Sequence, residues 1–145
     1  MLKYTWKRRH TMLEDVARKY YKMGYNCAES MIRAGNEYYN LGLHDKDMNV
    51  MAPFGSGMQV GDVCGALTGA CCVIGAKYVE TKAHDFQGIK KLTPKLIRAF
   101  QQELGSRLCA QIKPKHYTKE FHCQDTVGLA ASVLEKVIID WEKEN

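Results

Sequence analysis

Asp62-Val63-Cys64-Gly65-Ala66-Leu67-Thr68-Gly69-Ala70-Cys71-Cys72-Val73-Ile74-Gly75-Ala76-Lys77-Tyr78 is the stretch that decides the fold class. It shows no alternation of apolar and polar residues, so it does not read as a half-buried strand. Gly65, Gly69, Cys72 and Ala76 recur at i, i+4, i+7 and i+11, which places them on one helical stripe of small residues. Such a stripe lets a second helix approach closely. Glycine inside a helix costs about 1 kcal/mol relative to alanine, so two glycines in the stripe point to a packing need. The spacing predicts a helix from Asp62 to about Tyr78.

The flanking segments carry the same period. Before it, Leu13, Val16, Tyr20 and Met23 line one face of a helix expected over about 12–23. Thr11 with Glu14 reads as its capping box and Gly24 as its stop. Asn26 and Glu29 have capping-box spacing for a second helix reaching about Tyr39, with Met31, Gly35 and Tyr38 along one side. Residues 40–61 read as a loop region with a short helix from Lys46 to Met51. After the central stretch, Thr93 as N-cap and Pro94 at the first helical position predict a fourth helix, with Ile97, Phe100, Leu104 and Leu108 as its apolar stripe. A fifth begins near Asp125 or Thr126 and runs to the C-terminus, burying Val127, Ala130, Leu134, Val137 or Ile138, and Trp141. These elements sum to an all-α fold, a compact bundle of about five helices, with residues 1–145 forming a single helical domain.

Length and composition agree with that reading. A chain of 145 residues with 46% hydrophobic and 26% charged residues has the makings of a real core without staples. The net charge of +5 is modest. The basic run Lys7-Arg8-Arg9-His10 reads as a solvated terminus, since no aromatic–basic interleaving follows it, and no nucleic-acid partner is expected. The first residues lack an apolar signal region, and no run of about 20 apolar residues exists, so no membrane span is expected and a cytoplasmic location is the default.

Against this ordinary background stand six cysteines: Cys27, Cys64, Cys71, Cys72, Cys109 and Cys123. In a cytosolic chain of this size they point to catalysis, redox chemistry or metal binding rather than to a disulfide framework. Cys27 falls on the first turn of the second helix, Cys64 on the first turn of the third, and Cys123 just before the fifth. Unpaired N–H groups and the helix dipole favour a thiolate at such ends. Cys109 is expected at the end of the fourth helix, where the dipole opposes ionisation. Cys71 and Cys72 lie mid-helix and read as buried small hydrophobes.

Cys64-Gly65-Ala66-Leu67-Thr68-Gly69 resembles the C-G-A-x-x-G signature of the C_GCAxxG_C_C family of redox-active proteins. The matching features are ordered along the chain: Cys27 in Asn26-Cys27-Ala28-Glu29-Ser30, the glycine-rich Phe54-Gly55-Ser56-Gly57, the hexapeptide, then Cys109 and Cys123. The resemblance spans roughly 15–138. It implies thiol redox or cluster chemistry at Cys27, Cys64, Cys109 and Cys123, with an unidentified redox partner. Cys71 and Cys72 are additions to the four-cysteine pattern.

Other motifs limit the reading. Gly55-Ser56-Gly57-Met58-Gln59-Val60-Gly61 is one residue off a dinucleotide loop, and no strand precedes it. It reads either as a turn or as a set of backbone N–H groups facing a thiolate or cluster sulfur, which makes Gly55, Gly57 and Gly65 candidate cofactor-contacting positions. C-x-x-C is absent, and so is C-x-x-C-H, so covalent haem is not expected. Four separated cysteines can still converge on zinc or an iron–sulfur cluster. His122 beside Cys123 is a candidate base or ligand, whereas His44, His84 and His116 read as solvated. Three functions stay open: thiol/disulfide exchange through a Cys27–Cys64 pair with Cys109 and Cys123 as a second or resolving pair; a four-cysteine metal or cluster centre; and a packing-only bundle whose Tyr38 and Tyr39 mark a homo-oligomer surface.

Overall fold

A computed structural model describes residues 12–145; the basic run at 7–10 and Thr11 lie outside them. Among the described residues there are seven α-helices and no strand. They are α1 (Leu13–Lys22), α2 (Cys27–Tyr39), α3 (Asp45–Asn49), α4 (Gly65–Tyr78), α5 (Ile89–Leu104), α6 (Cys109–His116) and α7 (Gln124–Glu144). The all-helical class is as expected. The count exceeds the expected five through α3, close to the short helix expected at 46–51, and through α6, which was not expected. None of the described helices is long and apolar enough to cross a membrane.

Local chemistry sets the ends. Met12 is the N-cap of α1, and its N–H donates to the Asp15 carboxylate at 3.0 Å. The closing acid is therefore Asp15, not Glu14. The helix starts late enough to put Asp15 at its third position, leaving Glu14 to bind Arg18 one turn on. The capping box of α2 forms as read: Glu29 N–H donates to Asn26 Oδ1 and Asn26 N–H to the Glu29 carboxylate, each at 3.0 Å.

α4 opens on Cys64 as N-cap rather than on Asp62. Residues 62–64 are held extended against 107–109: Cys64 N–H donates to the Arg107 carbonyl at 2.8 Å and Cys109 N–H to the Asp62 carbonyl at 2.7 Å. Those pairings remove the first expected turn. α2 packs closely along α4. A Cβ on Gly69 would stand 2.7 Å from Met31 Cβ and 2.8 Å from the Ala28 carbonyl, while Gly35 on α2 receives the Val73 side chain. The contact stripe on α4 is thus Gly65, Gly69 and Val73, and the expected Cys72 and Ala76 face solvent. An i, i+4 ridge is followed throughout, the geometry of close ridge-into-groove packing.

The fourth expected helix needs two corrections. α5 begins at Ile89, five residues before Pro94, which lies inside it. One ladder bond to an exposed Lys90 carbonyl is lost, and the full burial of Leu92, Leu96, Phe100 and Leu104 offsets it. These four, at strict i, i+4 spacing, are the buried stripe. Ile97 is only half-buried, and Leu108 lies beyond the helix, which stops at Gly105 in the left-handed region (φ 84°). α7 lies along α1 and α5 and buries Val127, Ala130, Ala131, Leu134 and Ile138 in the same core. Tyr38 stays exposed although its hydroxyl donates to Glu135 at 2.6 Å, and Tyr39 is half-buried against the core.

Candidate functional site

Four helix N-termini meet at one end of the bundle. Cys27 is the first residue of α2, Cys64 the N-cap of α4, Cys109 the first residue of α6 and Cys123 the N-cap of α7. Cys109 therefore does not sit at the end of a helix, as its sequence context suggested. The Gly105 stop and the 62–64/107–109 pairing start a new helix at that residue. All four side chains line one cavity of about 230 Å³, and all are free thiols. The other two cysteines lie outside it: Cys71 is half-buried and Cys72, expected to be packed, is exposed.

Gly65 explains how two of the sulfurs come together. A Cβ there would stand 2.5 Å from Cys27 Sγ and 2.7 Å from the Phe54 carbonyl. The missing methyl is the space that seats the Cys27 sulfur against the start of α4, beside Cys64. Gly55 and Gly57 make similar room, the first for a side chain and the second for backbone. A Cβ on Gly55 would meet Asn26, whose Nδ2 donates to the Ala52 carbonyl at 2.9 Å; one on Gly57 would strike the Asp62 backbone. Ser56, Gly57, Met58 and Gln59 all have positive φ (52°, 60°, 57° and 65°), a left-handed turn that costs roughly 1–2 kcal/mol for each residue with a side chain. That turn brings the Ser56 N–H toward Cys27, where it favours the thiolate.

Burial nevertheless wins. Desolvation raises the Cys27 thiol above its ordinary range despite help from the N–H groups of Ser56 and Ala28. Cys64 is pushed up to about 12, first by burial and then by the neighbouring Cys27 sulfur, with the Ala66 and Leu67 N–H groups only partly opposing. Helix-end placement alone predicted ionised sulfurs. The structure makes these two neutral thiols at physiological pH, because the helix ends that would stabilise charge are themselves dry.

Cys123 sits differently. It is half-buried rather than buried, and burial raises its thiol, opposed by the Lys113 ammonium and by a hydrogen bond from Tyr21. The Tyr21 hydroxyl also accepts from the Cys123 N–H at 3.1 Å. Burial pushes Tyr21 up to about 12, so it stays a protonated donor. His122 (φ 54°) also lines the cavity, and its Nδ1 lies 3.0 Å from the Tyr117 hydroxyl. Ser56 belongs to the loop whose N–H groups the sequence offered to a thiolate. Tyr21, Lys113 and Tyr117 were not singled out in the sequence: Tyr21 comes from α1, while Lys113 on α6 and Tyr117 at its C-cap are four residues apart, joined by the Tyr117 N–H donating to the Lys113 carbonyl at 2.9 Å. His116, expected to be solvated, is half-buried and pairs with Asp125 at 3.2 Å. Among the described residues, no group of three or more His, Cys, Asp or Glu side chains is arranged to hold a metal ion.

A helical bundle that gathers free thiols from four helix starts around one cavity defines the class: a helical protein with a multi-cysteine centre. The chain belongs to the C_GCAxxG_C_C family, described as "Putative redox-active protein (C_GCAxxG_C_C)", whose profile matches residues 25–137. The order Cys64-Gly65 has a structural reason. It puts cysteine at the N-cap and glycine at the position that must admit the Cys27 sulfur. No curated protein and no solved structure shows significant similarity to the chain.

Proposed function

We propose that this protein is a dithiol–disulfide redox carrier in which Cys27 and Cys64 store the electron pair, with Cys109 and Cys123 as the second, resolving pair. The observation that carries it is the seat at Gly65, which brings the Cys27 sulfur beside Cys64 inside a cavity that all four sulfurs share. Oxidation removes one proton from each thiol and two electrons in all, forms one S–S bond, and leaves the buried cavity uncharged. That is favourable where both charged sulfur forms are disfavoured by burial. The electrons pass to an external disulfide, whose S–S bond is cleaved to two thiols.

Mass spectrometry of the full chain tests this, with alkylation after treatment by oxidant or by reductant. Loss of two alkylation sites at Cys27 and Cys64 after oxidation, restored by reductant, is the expected result. Six thiols that alkylate alike under both conditions would end the reading. A four-sulfur metal centre is not favoured by the side-chain arrangement described above.

A further inference from the structure

We propose that Cys123 is the sulfur through which electrons enter and leave, with Lys113 stabilising its charged form and Tyr21 acting as its positioning residue. The assignment rests on the redox-pair reading above and adds a direction to it.

Accessibility separates the four. Cys27, Cys64 and Cys109 retain 9%, 4% and 8% of their exposure, whereas Cys123 is half-buried and opens to solvent. An external disulfide needs in-line approach to the attacking sulfur, and only Cys123 offers it. The surroundings agree. From α1, Tyr21 fixes the Cys123 backbone at 3.1 Å and directs its hydroxyl to the sulfur. From α6, Lys113 faces it as the nearby cation. Cys27 from α2 and Cys109 from α6 also face it and oppose its ionisation. His122 and Tyr117 line the same cavity but bond to each other.

The sequence of steps then balances. Cys123 loses its proton to solvent and attacks one sulfur of the external disulfide. That S–S bond breaks, a mixed disulfide forms, and the displaced sulfur takes up a proton. Cys27 gives up its proton and attacks Cys123 Sγ, forming a Cys27–Cys123 bond and releasing the second external thiol. Cys64 next displaces Cys123 from Cys27, which yields the stored Cys27–Cys64 disulfide and returns Cys123 as a thiol.

The test uses reduced full-length chain, oxidised glutathione as probe and a pulse of iodoacetamide read by peptide mass spectrometry. Among the cavity cysteines, Cys123 is expected to alkylate at least about tenfold faster than the other three, as its access to solvent dictates. In Cys27→Ser/Cys109→Ser protein, which lacks both the proposed attacker and the other member of the resolving pair, glutathione is expected to stay on Cys123. Lys113→Met, an exposed position, and Tyr21→Phe are each expected to move the pH profile of Cys123 alkylation upward, a shift that loss of packing alone would not produce. Glutathione trapped on Cys27, Cys64 or Cys109, or an unchanged profile in both variants, would overturn the assignment. A chain that alkylates first at Cys123 but closes no internal disulfide would keep it and overturn the redox-pair reading instead.

Discussion

α4 carries cysteines in two settings about two turns apart. At its start, Cys64 is buried on a cavity shared with three other sulfurs from three other helices. At its middle, Cys71 and Cys72 share a helix and adjacent positions yet meet no cysteine from another element, and Cys72 faces solvent. The two settings differ in convergence, not in chemistry. A helix brings its own side chains together only at three- and four-residue spacing, and each then points away along the surface. Four helix starts aimed at one point bring together sulfurs that are tens of residues apart. Adjacency in the chain therefore says little about a thiol site, whereas shared placement at helix starts says a great deal.

That contrast can be broken or sharpened by experiment. The largest effect expected is a pH dependence. Burial holds the folded Cys64 pKa near 12, above its unfolded value, so the neutral thiol contributes stability that is complete below about pH 9 and lost as pH rises through 12. Denaturant titrations between pH 9 and 12 should show a decline on the order of a few kcal/mol, shallower in Cys64→Ala. If the slope is the same with and without Cys64, its setting is not what the structure describes.

Gly65→Ala comes next. Its methyl would occupy the seat of the Cys27 sulfur and press on the Phe54 carbonyl, so a loss of about 1–3 kcal/mol is expected, with a slower Cys27–Cys64 oxidation. Gly75, further along the same helix, has nothing within 4 Å of an added Cβ. Gly75→Ala should raise stability by about 0.5–1 kcal/mol, measured by the same unfolding titration, and leave thiol chemistry alone. Smallest is Cys72→Ser. As an exposed change away from the cavity, it should alter stability by less than about 0.5 kcal/mol and leave the disulfide yield after oxidation unchanged. A fall in that yield would bring the mid-helix pair into the redox centre.

The residues that were legible and those that were not separate along one line. α2 could be read to the residue because Asn26 and Glu29 cap it locally. Cys27, Cys64, Cys109 and Cys123 could be picked out from their order and their resemblance to a known pattern. The start of α5 could not, because Thr93-Pro94 is a strong local start signal that long-range burial of Leu92 overrides. Nor could α6, whose first residue is set by hydrogen bonds to residues 62–64. The same pairing moved the start of α4 from Asp62 to Cys64.

By itself, then, the sequence determined an all-helical chain, the capping of α2, and which four cysteines to watch. Periodicity, caps and composition act over one or two turns and need no partner. The tertiary structure alone decided that those sulfurs share a cavity, that Cys109 begins a helix, and that Tyr21 and Lys113 attend Cys123. It also reversed the expected ionisation of Cys27 and Cys64. A helix end favours a thiolate through nearby N–H groups, but the cost of desolvation depends on everything packed around the sulfur, and only the assembled bundle sets it.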